Sequence, residues 1–143
     1  MRYFIEFSYN GAEFHGWQKQ NNATSVQQII EKSLSLIQGE PLTVVGAGRT
    51  DTGVHAKFMT AHFDIKKLSK LKEDFIFKLN QLLPKSIIIK NIRRVKDDAH
   101  ARFDATSRTY KYYLSLAKDP FNYSLHYFYN GNLDWDLMNK ASK

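Results

Sequence analysis

Residues Gly46 to Ala56, GAGRTDTGVHA, place one arginine, one aspartate and one histidine among three glycines. Gly46, Gly48 and Gly53 permit positive φ or close approach of another segment, so the stretch reads as a tight, shaped loop. Arg49 and Asp51 stand two residues apart and can point the same way. A guanidinium a few ångströms from a carboxylate favours the ionised form, which makes Asp51 a candidate nucleophile or base. The competing reading is a turn aspartate whose side chain is spent on its own loop. His55 suits a loop hydrogen bond as well as proton transfer. The five histidines form no His-x-x-x-His or carboxylate–histidine cluster, so no metal site is expected. Upstream, His15, Trp17, Gln18 and Gln20 fit either a polyanion contact or a packed loop around one buried tryptophan.

These groups need a frame. Arg2 to Tyr9 alternates with the two-residue period of a strand and stops at Asn10-Gly11. Thr24 or Ser25 then caps a helix whose apolar residues Val26, Ile29, Ile30, Leu34 and Ile37 recur at helical spacing up to Gly39. Leu42 to Val45 is expected to be a short strand feeding the glycine loop, and Phe58 to Ile65 the strand leaving it. Ser69 could cap a second helix carrying Leu71, Phe75, Leu79, Leu82 and Leu83 and closed by Pro84. Ile87, Ile88 and Ile89 predict a last strand, Ser86 to Val95, covered on both faces. The order strand, helix, strand, strand, helix, strand predicts an α+β, ferredoxin-like (βαββαβ) antiparallel sheet with both helices on one face.

Beyond Asp97-Asp98, Tyr110, Tyr112, Leu114 and Leu116 would share one face of a further strand. Phe121 to Tyr129 is again strand-like, and Asp134 is a plausible N-cap for a helix that reaches Lys143 without a stop signal. Residues 1–98 are therefore expected to form an amino-terminal domain. Residues 99–143 should open a second, similar one that is cut short.

Composition narrows the chemistry. The 143 residues include no cysteine, which excludes disulfides, thiolate metal sites and cysteine nucleophiles and suggests a reducing, cytoplasmic home. No window has the roughly 18 uncharged apolar residues of a membrane span. The formal charge is +7, and Lys66 to Lys96 holds ten basic residues against Glu73 and Asp74. Such a cluster is either a solubilising face or a contact for a polyanion.

Three stretches, SYNGAEFHGWQKQ with TSVQ, then GAGRTDTGVHA, then ARFDATSRTYKYYL, together resemble the TruA family of tRNA pseudouridine synthases. The resemblance covers essentially the whole chain, although family members are considerably longer. It implies a cofactor-independent isomerase that turns uridine into pseudouridine in the anticodon stem-loop of tRNA, acting as a homodimer when complete. By the same resemblance Asp51 would be the catalytic residue, with Arg49 pairing with it and helping to hold the target nucleotide out of its stack. Tyr110 would lie against the uracil, Tyr112 being the competing assignment. Thr50, His55, Arg102 and Arg108 complete the expected substrate contacts.

Two rival readings remain. Asp51-Thr52-Gly53 reproduces the Asp-Thr-Gly of aspartic proteases, but those sites share one proton between twin carboxylates in an apolar setting. A neighbouring arginine would spoil that sharing. The other is a non-catalytic RNA-binding module, since a ferredoxin-like sheet with exposed aromatics is also how RNA-recognition motifs stack bases.

Overall fold

A computed structural model describes residues 1–66 and 74–142. The expected helix cap at Ser69, the apolar Leu71, and Lys67, Lys70, Lys72 and Glu73 of the basic stretch lie outside the described residues. The chain forms two compact units, Met1–Ser107 and Arg108–Lys143.

The first unit is an α+β sandwich of ferredoxin-like topology. Strand β1 spans Arg2–Tyr9, helix α1 Val26–Gln38, β2 Val45–Gly46, β3 Ala56–Asp64, α2 Phe75–Leu82 and β4 Ile87–Arg94. The sheet order is β2-β3-β1-β4, with every neighbouring pair antiparallel. Alternation along β1 buries Tyr3, Ile5, Phe7 and Tyr9, and the register sets Tyr3, Ile5 and Phe7 opposite Phe63, Ala61 and Met59 of β3. Onto that face α1 presents Val26, Ile30 and Leu34, and α2 presents Phe75 and Leu79. Fully burying one such side chain contributes about 1.5–3 kcal/mol. Helix α1 starts where Ser25 Oγ accepts the Gln28 amide at 3.3 Å, and stops at Gly39, whose φ of 76° suits glycine.

Two local expectations are corrected. Residues 42–44 are not strand; β2 is only Val45–Gly46, because Val44 bonds to side chains of α1 instead of a strand. Strand β4 is not covered on both faces: Ile87 and Ile89 are buried while Ile88 is 52% exposed. The helices cover one face only, so the three isoleucines alternate like any half-buried strand.

On the helix-free face, residues 97–104 fold back over the sheet. Arg2 grips Asp64 through two bonds, at 2.9 and 2.8 Å, and donates to the Ala99 carbonyl at 3.0 Å. His62 Nδ1 accepts the Ala101 amide at 3.2 Å, and its ring meets His100 edge-on, with His100 stacked on Phe103. Burial, reinforced by the neighbouring Arg2 and His100, pushes the His62 imidazole below its ordinary value.

In the second unit, β5 (Leu114–Ser115) pairs in parallel with β6 (Tyr127–Phe128), followed by helix α3 (Trp135–Ala141) capped by Asp134. The longer strand expected from Tyr110 is not formed. A strand exists only where a neighbour satisfies its backbone, and here that neighbour reaches only Tyr113 and Ser115, through the amides of Tyr127 and Tyr129.

Candidate active site

Loop 47–55 leaves β2 and enters β3, and a second loop, residues 10–17, clasps it. Trp17 N donates to Thr50 O at 3.1 Å, Gly53 N to Phe14 O at 3.3 Å, and Gly11 N to His55 Nδ1 at 3.0 Å. The approach is close enough to require glycine twice. A Cβ on Gly11 would lie 2.0 Å from Val54 O, and one on Gly16, whose φ is +80°, would lie 2.4 Å from Thr50 O. Trp17 is buried, stacks on Phe7 at 5.4 Å, and fills the space where a Cβ of Gly46 would sit. The Gly11, Gly16 and Trp17 of the first motif are thus the cradle of the second. This settles Trp17 as a packing residue, while His15 and Gln18 are exposed and Gln20 donates to the His15 carbonyl.

Within the cradle the side chains divide by use. The Thr50 hydroxyl is 2.8 Å from that of Tyr9, itself buried in the sheet. His55 accepts through Nδ1, so that nitrogen carries no proton and the ring serves as a loop clamp. Asp51 opens a tight turn in which its carbonyl accepts Val54 N at 3.2 Å, with Gly53 at φ 79°. Its carboxylate is exposed and has no hydrogen-bond or ion-pair partner among the described residues. The turn is made by the backbone, and the acid group is not spent on it. The expected Arg49–Asp51 ion pair is likewise not formed among the described residues; Arg49 too is exposed. An exposed pair is worth only about 0–1 kcal/mol, so water competes with its closure.

Arg102 belongs to the 97–104 segment, its side chain exposed and its amide donating to His100 Nδ1 at 3.2 Å. That segment is anchored beside Arg2 and Asp64, at the end of β1 remote from Tyr9 and the cradle. Arg108 and Tyr110 belong to the second unit, where Tyr110 is 62% exposed and Tyr112 94%. The first unit therefore gathers Arg49, Thr50, Asp51 and His55 on one loop.

Two residues with no assigned role at the site support it. Gln27 and Glu31, one turn apart on α1, bond to the backbone of both segments that adjoin the loop. Thr24 and Gln27 stand at capping-box spacing, as do Ser25 and Gln28, and it is Ser25 Oγ that caps the helix by accepting the Gln28 amide.

A family model described as tRNA pseudouridine synthase matches residues 6–104. The chain is 53% identical over 145 residues to tRNA pseudouridine synthase A of Parabacteroides distasonis, covering 99% of this chain and 56% of the relative. It is 50% identical over 142 residues to that of Bacteroides thetaiotaomicron (99% and 52%), and 39% identical over 146 residues to that of Aliivibrio salmonicida (100% and 55%). The chain spans about half the length of the curated relatives it matches.

Proposed function

The chain belongs to the tRNA pseudouridine synthase family, and on that premise we propose that the complete protein isomerises uridine to pseudouridine in the anticodon stem-loop of tRNA, without a cofactor. The observation that carries the proposal is the exposed Asp51 carboxylate, unspent on its own turn and mounted on a loop tied down at both ends. In the reaction the bond from uracil N1 to the sugar C1′ breaks, the base turns, and C5 bonds to C1′. The C5 proton leaves and N1 gains one, so atoms balance and nothing is oxidised. Asp51 serves either by adding covalently to the base or sugar, or by taking a sugar proton to give a glycal.

The nucleotide must leave its stack at a cost of a few kcal/mol. Arg49, two residues from the carboxylate, is assigned to hold it out, and Tyr110 to lie against the uracil, an offset of about 1–3 kcal/mol for base–aromatic stacking. Thr50 and His55 shape the loop under the nucleotide, and Arg102 and Arg108 contact phosphates. We further assign residues 1–98 to an amino-terminal domain and 99–143 to the opening of a second, similar one, its first residues through Ala101 folded back onto the sheet of the first. The complete protein is taken to be a cytoplasmic homodimer across which tRNA lies. Among the described residues no helix is long and apolar enough to cross a membrane.

The test joins residues 1–143 to the remaining carboxy-terminal portion of the Parabacteroides distasonis relative and treats unmodified tRNA transcripts with the chimera. Nucleoside analysis should find pseudouridine in the anticodon stem-loop. Tight tRNA binding by the folded chimera with no pseudouridine would overturn the assignment in favour of the RNA-binding module.

A further inference from the structure

The polar pair Gln27 and Glu31 sits where a helix normally shows either core or solvent. Glu31 is buried at 7% exposure, and its Oε1 accepts both Val44 N and Gln27 Nε2 at 3.0 Å. Gln27 Nε2 also donates to Val44 O at 3.0 Å, and Gln27 Oε1 accepts Lys19 N at 2.9 Å. Lys19 Nζ stands 3.8 Å from Glu31 Oε2. The helix start adds two more ties, Val26 N to Gly16 O at 3.2 Å and Gln27 N to Trp17 O at 3.0 Å. A buried carboxylate costs several kcal/mol unless it is hydrogen-bonded and paired, and this one is held against the backbone of a residue just outside a strand.

Val44 precedes the two-residue β2 that delivers the glycine loop, and Trp17 is the residue that holds Thr50 O. One turn of α1 thus grips both segments that frame Asp51. Resting on the pseudouridine synthase reading above, we propose that Gln27 and Glu31 are positioning residues for Asp51. They fix the level of loop 47–53 through Val44 and the 16–19 backbone and touch no substrate. A misplacement of about 1 Å at a reacting group can lower a rate about a hundredfold, so loosening this grip acts on turnover and not on tRNA affinity.

The test compares Glu31→Ala with Glu31→Gln, which keeps an acceptor for Val44 N, and adds Gln27→Ala as a milder change at a half-buried position. In the 143-residue chain, amide hydrogen exchange at Val44 and residues 47–53 should quicken at least tenfold in Glu31→Ala and Gln27→Ala, stay near wild type in Glu31→Gln, and be unaltered in β1 and β4. In the chimera, kcat for tritium release from tRNA labelled at uridine C5 should fall at least tenfold in both alanine variants with KM for tRNA unchanged, and recover to within about threefold in Glu31→Gln. Unchanged exchange across 44–53, or equal loss in Glu31→Gln and Glu31→Ala, overturns the positioning role. If the unsubstituted chimera releases no tritium, the pseudouridine synthase reading fails while the exchange result still decides whether the pair holds the loop.

Discussion

Four side chains of one loop carry different duties, and hydrogen bonds separate them. Thr50 and His55 are tied to Tyr9 and Gly11, so they hold shape. Asp51 and Arg49 are exposed, and neither has a partner among the described residues, so both can turn to a ligand. The supporting glycines are equally specific. Gly16 and Gly39 both have positive φ, +80° and +76°, but a Cβ at Gly16 would meet the Thr50 carbonyl at 2.4 Å while one at Gly39 would meet nothing within 4 Å. Left-handed backbone costs an alanine about 1–2 kcal/mol at either position. Gly16→Ala must in addition push the 47–55 loop away. Thermal unfolding should show Gly39→Ala lowered by roughly 4–8 °C for each kcal/mol, with Gly16→Ala lowered further. Equal losses would mean that the two loops do not press together.

At the scale of elements, the fold was legible wherever a periodic apolar pattern met a stop signal. Strand β1 with Asn10-Gly11, α1 between Ser25 and Gly39, and Asp134 ahead of α3 all follow from local chemistry. The alternation of Phe58 to Ile65 also holds, with Met59, Ala61, Phe63 and Ile65 buried. What stayed illegible depends on partners distant in sequence. Three isoleucines in a row cannot reveal that helices cover one face of β4 only. Tyr110 to Leu116 alternates well, but alternation does not supply a hydrogen-bonded neighbour. Nothing local marks Gln27 and Glu31, because Val44, their partner, is 17 and 13 residues away. The spacing of Arg49 and Asp51 left a turn aspartate and a reactive one both open, and the resemblance to the pseudouridine synthases was what favoured the second. The glycines and tryptophan that cradle it could be placed only in three dimensions.

For the molecule as a whole, stability of the first unit is linked to pH through His62, which faces Arg2, His100, Asp64 and Asp104. Its folded-state value lies below the ordinary 6.5, so the unfolded chain takes up the proton more readily. Stability from this group is complete above that ordinary value and is lost as pH falls below it, until the folded-state value is passed. The denaturation midpoint should therefore be lower at about pH 5.5 than at about pH 7.5. His62→Asn, which retains an acceptor for Ala101 N, should flatten that difference, and an undiminished slope would assign it to other groups. The catalytic claim is independent of this latch and rests on Asp51. The most direct measurement is single-turnover tritium release from tRNA labelled at uridine C5, comparing the chimera with its Asp51→Asn form. An exposed carboxylate with no partner among the described residues can be replaced with stability unchanged within about 0.5 kcal/mol. The account predicts that Asp51→Asn folds and binds tRNA as the parent does and releases no tritium above background. Release at the parental rate by a folded Asp51→Asn chimera would contradict it.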